Sequence, residues 1–101
     1  MVKATFLLPR HDNEGVWFES DEFTWFQNQL IVRFAGWTRE EGICGAWLDE
    51  TDGQVFEDQH YRYTVYTKDL AGLESLLQDA KVRFRQRSIV IETAKSRVRF
   101  L

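Results

Sequence analysis

Few side chains in this sequence are able to do chemistry, and they are scattered. The two histidines are His11 and His60, with the carboxylates of Asp12, Glu14 and Asp58 close by in sequence. Imidazole and carboxylate together can hold zinc or manganese, or share general acid and base work. Their spacing matches no recognised ligand motif, and acidic turns are ordinarily solvated. Cys44, the lone cysteine, sits in GICGAW, and Cys44, His60 and Asp58 can be written as nucleophile, base and orienting acid. Strand alternation instead points Cys44 into the core, where cysteine behaves as a small apolar residue. Gly42 and Gly45 form no phosphate loop, because neither Gly-x-x-x-x-Gly-Lys nor Gly-x-Gly-x-x-Gly occurs. No catalytic residue, metal set or cofactor follows from these residues, and an enzyme is not the favoured expectation.

Two further clusters invite a binding role. Arg83, Arg85 and Arg87 alternate in VRFRQR, where a helix closes and a strand opens. They can grip a phosphate or a partner carboxylate, or simply oppose the negative helix end and the acidic hairpin DETDG. In QHYRYTVYT, residues 59–67, three tyrosines fall close together with Arg62 between the first two. Exposed aromatics on such a strand stack bases in the RNA-recognition motif. Placing Tyr61 and Tyr63 on the open side would put Arg62 under an apolar layer, at a cost of several kcal/mol unless it is paired. The glycine that motif requires is also absent, since Gln59 and His60 precede Tyr61. The opposite phase is expected: Tyr61, Tyr63 and Val65 inward, His60, Arg62, Thr64 and Tyr66 outward.

The scaffold holding these residues is small. A chain of 101 residues, 44% hydrophobic and 29% charged, suits one domain spanning 1–101 that buries roughly 60–70% of its unfolded surface. One cysteine rules out an internal disulfide and suits a reducing cytoplasm. No apolar run approaches the ~20 residues needed to span a bilayer, so no membrane partner is expected. The net charge of −3 is uneven: residues 68–101 carry eight basic and four acidic side chains, and the rest is acidic. An acidic body with a basic last third can attract an acidic partner, yet nucleic-acid domains are usually basic overall.

The elements read in order. VKATFLL alternates as a strand stopped by Pro9. SDEFTWFQNQLIVRFAGW reads as a helix, capped by Ser20, with Asp21 and Glu22 in its first turn and Gly36 as the left-handed stop. Asp52-Gly53 marks a hairpin between CGAWL and the strand that continues through HYRYTVYT. LAGLESLLQDAKVRF carries Leu70, Leu73, Leu77, Ala80 and Phe84 on one side of a second helix. SIVIET is a strand, and RVRFL a possible short fifth. The order β-α-β-β-α-β predicts an α+β fold, the ferredoxin-like plait: an antiparallel four-stranded sheet, ordered 4-1-3-2, with both helices on one face.

That phase leaves Leu7, Trp47, Tyr66 and Val90 on the open face among Thr5, Arg62, Thr64 and Glu92. A contiguous apolar patch is usually covered. A second copy of the sheet, giving a homodimer, is the simplest cover; the alternatives are SRVRFL folding back over the patch or apolar residues that are merely scattered singly.

Several motifs also carry a resemblance. A helix with DEF, a Gly-x-Trp strand at Gly45–Trp47, an acidic glycine hairpin, and Phe84-Arg85-Gln86-Arg87-Ser88-Ile89 together resemble a small uncharacterised bacterial domain family found alone or in lipoproteins. The resemblance implies the plait and no activity, and this chain shows no lipoprotein signal. The functional expectation is a small non-enzymatic interaction module that self-associates through its open sheet face. One alternative is a dimeric α+β barrel enclosing a small molecule, lined by Trp47, His60, Arg62 and Tyr66. Another is an acidic partner or nucleic acid gripped by Arg83, Arg85, Arg87, Arg97 and Arg99.

Overall fold

Ala4, Phe6 and Leu8 alternate with Thr5 and Leu7, and this period of two gives β1, Val2–Pro9, a face that is buried from Ala4 to Leu8. The computed structural model describes residues 1–101. Helix α1, Ser20–Phe34, follows, with Phe23, Phe26 and Leu30 buried and Asp21 and Glu22 in its first turn. Its caps depart from expectation. The N-cap position belongs to Glu19 rather than Ser20, and no side chain caps the helix. At the other end Ala35, not Gly36, takes the left-handed conformation, with φ 66°, and returns its N–H to the Ile31 carbonyl at 3.0 Å. The stop falls one residue before the glycine, so alanine carries the steric cost of the left-handed region.

The hairpin is longer than its apolar runs suggest. β2 spans Thr38–Leu48 and β3 spans Val55–Thr67, joined by a turn in which the Gly53 N–H reaches the Asp49 carbonyl at 2.8 Å. Gly53 has φ 72°, the conformation for which the Asp-Gly signal selects. A bulge between Glu40 and Ile43 shifts the β2–β3 register, with Gly42 also at φ 72°. Helix α2, Leu70–Arg83, is capped by Asp69, whose carboxylate accepts the Gly72 N–H at 2.9 Å. β4, Ile91–Lys95, closes the sheet.

The strand order is β2-β3-β1-β4, antiparallel throughout, which is the expected plait. One buried cluster joins Ala4, Phe6, Leu8, Tyr63 and Val65 of the sheet to both helices. Its centre is aromatic: Phe6 stacks on Tyr63 at 5.7 Å, and Phe26 meets both rings edge-on. The Tyr63 hydroxyl donates to Gln27 Oε1 at 2.8 Å, and burial pushes its pKa up to about 12.

Two further expectations fail. Residues 97–101 form no fifth strand, and the last strand is confined to Ile91–Lys95, although the Leu7 N–H still donates to the Val90 carbonyl at 3.3 Å. Cys44 is exposed rather than in the core. Its alternation is right, because it pairs with Gln59 on the helix-side parity, but Cys44, Ala46 and Leu48 are all exposed. No layer covers either face of the sheet there. The paired ends of β2 and β3 form a two-stranded arm, and the molecule measures 47 Å along its longest axis against 28 and 24 Å. No helix is long and apolar enough to cross a membrane.

Candidate interaction surface

The face of the sheet opposite the helices follows from β3, whose alternation runs unbroken from Phe56 to Tyr66. Tyr63 and Val65 are buried toward the helices, so His60, Arg62, Thr64 and Tyr66 share the other side. Register carries that face to the neighbouring strands. Leu7 pairs with Arg62, Thr5 with Thr64, and Glu40 with Arg62. Tyr66 is 39% exposed, Trp47 44% and Val90 60%, while Leu7 and Arg62 are half-buried. The Arg62 guanidinium donates to Glu40 Oε2 at 3.3 Å across the strands. The open face therefore presents apolar residues interleaved with a cross-strand ion pair.

A second group lies at the base of the arm. Trp47 stacks on Phe56 at 4.8 Å and donates its indole N–H to Asp58 at 2.9 Å. β1 carries its pairing onward, Pro9 opposite His60 and the Arg10 N–H to the Gln59 carbonyl at 2.8 Å, which brings His11 beside Asp58 at 4.0 Å. The His11 ring is committed on both sides, Nδ1 to the Asp12 carbonyl at 3.0 Å and Nε2 to the Gln59 N–H at 3.4 Å. With Nε2 accepting from Gln59, Nδ1 is the nitrogen placed to donate.

His60 lies across Gly45, where an added Cβ would stand 3.4 Å from its Nε2. Its Nδ1 is buried and has no hydrogen-bond partner. Burial lowers the His60 pKa, the neighbouring Asp58 opposes this, and His11 adds to the lowering. Asp58 thus lies within 4.0 Å of His11, and both act electrostatically on His60. Cys44 is paired with Gln59, on the opposite parity from His60, so no nucleophile and base face each other. No three His, Cys, Asp or Glu side chains form a metal-holding group.

The arginines of VRFRQR have partners within the chain. Arg83 donates to Glu22 at 2.8 Å and lies over the Trp25 ring at 4.1 Å. Arg85, at φ 52°, reaches Asp12 at 3.3 Å and covers Phe18. The Val16 amide, against the opposing effect of burial, and then the Glu14 amide and Arg85 hold Asp12 below the usual carboxylate range. Arg87 is exposed.

Sequence reasoning missed Phe56, Arg10 and Arg39. Arg10 sits over Trp17 at 5.1 Å and Tyr61 at 4.9 Å, and Arg39 covers the same tyrosine at 4.3 Å while donating to Gln27 at 2.7 Å. Only the β2–β3 register reveals that Arg39 faces the helix layer.

The architecture is that of small α+β proteins with the ferredoxin-like plait, and solved structures share it. A phage SAM lyase in complex with S-methyl-5'-thioadenosine superposes with a TM-score of 0.67 at 12% identity, covering 93% of this chain and 80% of its own. The divalent cation tolerance protein CutA1 from Thermus thermophilus gives 0.65 at 15% identity, covering 95% and 84%. CutA from Xylella fastidiosa gives 0.66 at 12% identity, covering 98% and 86%. At these identities the likeness is one of fold. No family model matches the chain, and no curated protein matches significantly.

Proposed function

We propose that this chain is a non-enzymatic interaction module that self-associates through its open sheet face and arm as a homodimer. The supporting observation is the arm itself, which exposes Trp47, Leu48 and Val55 with no layer over either face. A lone two-stranded ribbon is marginal in water, and apolar side chains exposed on both of its faces, Trp47 on one and Leu48 and Val55 on the other, favour burial against a partner. A second copy is the simplest occupant, because a two-fold axis lets one patch cover itself. The Arg62–Glu40 pair supplies both signs of charge on that face, so it can meet its own image.

A second reading has one observation in its favour. The unpartnered Nδ1 of His60 shares a face with Arg62, two residues along β3, a pair able to contact a small flat molecule between two such sheets. Trp47, opposite Phe56, and Tyr66 stand roughly 33 Å apart along the strand. A grip on nucleic acid or an acidic partner is less favoured, since Arg83 and Arg85 are engaged within the chain.

The test is molar mass in solution by light scattering. Wild type is expected at twice 12.0 kDa, and Trp47→Asp at the single-chain mass with unchanged far-UV circular dichroism. A monomeric wild type overturns the proposal.

A further inference from the structure

The sheet has two outer strands, and they are guarded differently. β4 is short, Ile91–Lys95, and carries Glu92 and Lys95, features that discourage pairing with another chain. β2 ends in ICGAWL, Ile43–Leu48, with no charge and no proline, and no strand lies beyond it. The Glu40/Ile43 bulge interrupts that edge only where the arm begins. A row of unpaired N–H and C=O groups beside exposed apolar side chains is a template for an added strand.

The same chain holds a segment with the pattern of a strand and no partner. Arg97-Val98-Arg99-Phe100-Leu101 alternates charged and apolar residues, and Phe100 is 88% exposed. The bond from the Ser96 N–H to the Met1 carbonyl, 3.0 Å, is the last that the backbone makes. The segment carries two arginines, while the unguarded edge is flanked by Asp49, Glu50 and Asp52 at its far end and, at its near end, by Glu40 and Glu41, which already pair with Arg62 and Arg39.

Residues 97–101 cannot reach this edge on their own chain. β4 ends at Lys95, paired to Val2, which also faces Thr67, whereas the free edge starts at Ile43, opposite His60. The stretch of β3 between Thr67 and His60 is about 24 Å long, and crossing from β4 to β2 adds three spacings of about 4.8 Å. Five extended residues span at most about 17 Å. Only another copy can bring the two together.

We propose that residues 97–101 of one copy add as a strand to the outer edge of β2, Ile43–Leu48, of a second copy. Main-chain hydrogen bonds provide the pairing, and Arg97 and Arg99 meet the acidic residues that flank the edge. The proposal rests on the self-association reading and adds a contact at the sheet edge, distinct from the sheet face.

Cys44 lies on that edge and is exposed, so it serves as the reporter. Arg97→Cys, Val98→Cys, Arg99→Cys and Phe100→Cys, each in the 101-residue chain, are oxidised with diamide and run on non-reducing gels. One or two positions are expected to form disulfide-linked dimers at least ~10-fold faster than Glu74→Cys on the exposed side of α2, and Cys44→Ser abolishes them. Removing residues 97–101 is expected to lower the solution mass to one chain. Equal rates at all four positions and at Glu74→Cys overturn the edge proposal. If the truncated chain then keeps the wild-type mass, face-mediated association stands alone. If truncation lowers the mass and Trp47→Asp does not, the edge is supported and the face reading fails. A monomeric wild type overturns both.

Discussion

Between Tyr61 and Thr67, β3 lies beneath two helices, and Tyr63, Val65 and Thr67 are shut away from water; between Val55 and Gln59 the same strand leaves no residue buried. The two stretches share one backbone geometry and one alternation, and they differ only in whether a layer packs above them. Side-chain parity states which way a residue points, and only the covering layer decides whether pointing inward means burial. Stability should therefore be concentrated at one end of the strand, while the other end is free to serve a partner.

The sharpest way to break this contrast is to remove one ring from each region. Phe26→Ala opens a space among Phe6, Tyr63 and Phe84 and should cost about 3–5 kcal/mol in urea unfolding. Trp47→Ala, measured at dilutions where chains are separate, should cost less than about 1 kcal/mol. Similar losses at both sites would mean the arm is part of the folding core.

Gln27→Leu refines the picture on the covered side. Its Oε1 accepts from both the Tyr63 hydroxyl and Arg39, so the variant strands two donors, at about 1–3 kcal/mol by the same unfolding measurement. A smaller effect is expected with the opposite sign at the end of α1: Ala35→Gly relieves a left-handed alanine and should raise stability by about 0.5–1 kcal/mol in thermal unfolding.

The smallest effect belongs to the arm. His60 has a folded-state pKa held below 6.5 by burial, so the unfolded chain binds its proton first. The contribution of its neutral ring is complete above pH 6.5 and is lost as pH falls through that value. Unfolding curves of His60→Gln should lack this step between pH 7 and 5; an unchanged profile would show that the ring is not held in its buried, neutral form.

Much of the architecture was legible because it rests on local patterning. The burial cost of Arg62 set the phase of QHYRYTVYT, and the Asp-Gly turn and both helix faces lie where their spacing placed them. What escaped depended on partners distant in sequence. TREEG looks like a polar loop, yet Thr38–Glu40 pair with Arg62–Thr64, and Arg39 is tolerated on the helix side because it stacks on Tyr61 and meets Gln27. The approach of His11 to Asp58 depends on Pro9 standing opposite His60, a register that composition does not encode. Cys44 was misplaced for the reason the two halves of β3 illustrate: its direction was correct and its cover was absent.

The pairing of β1 with β3 also dictates an order of assembly. As the chain emerges from the ribosome, Val2–Pro9 has no central neighbour until Val55–Thr67 has been made, whereas β2 and β3 are joined by a tight turn and can zip together at once. The arm is thus available early, and the sheet that anchors it is completed late. During that interval the nascent protein presents its stickiest ribbon before it possesses a core, so synthesis at high expression should be the stage at which it is most prone to aggregate.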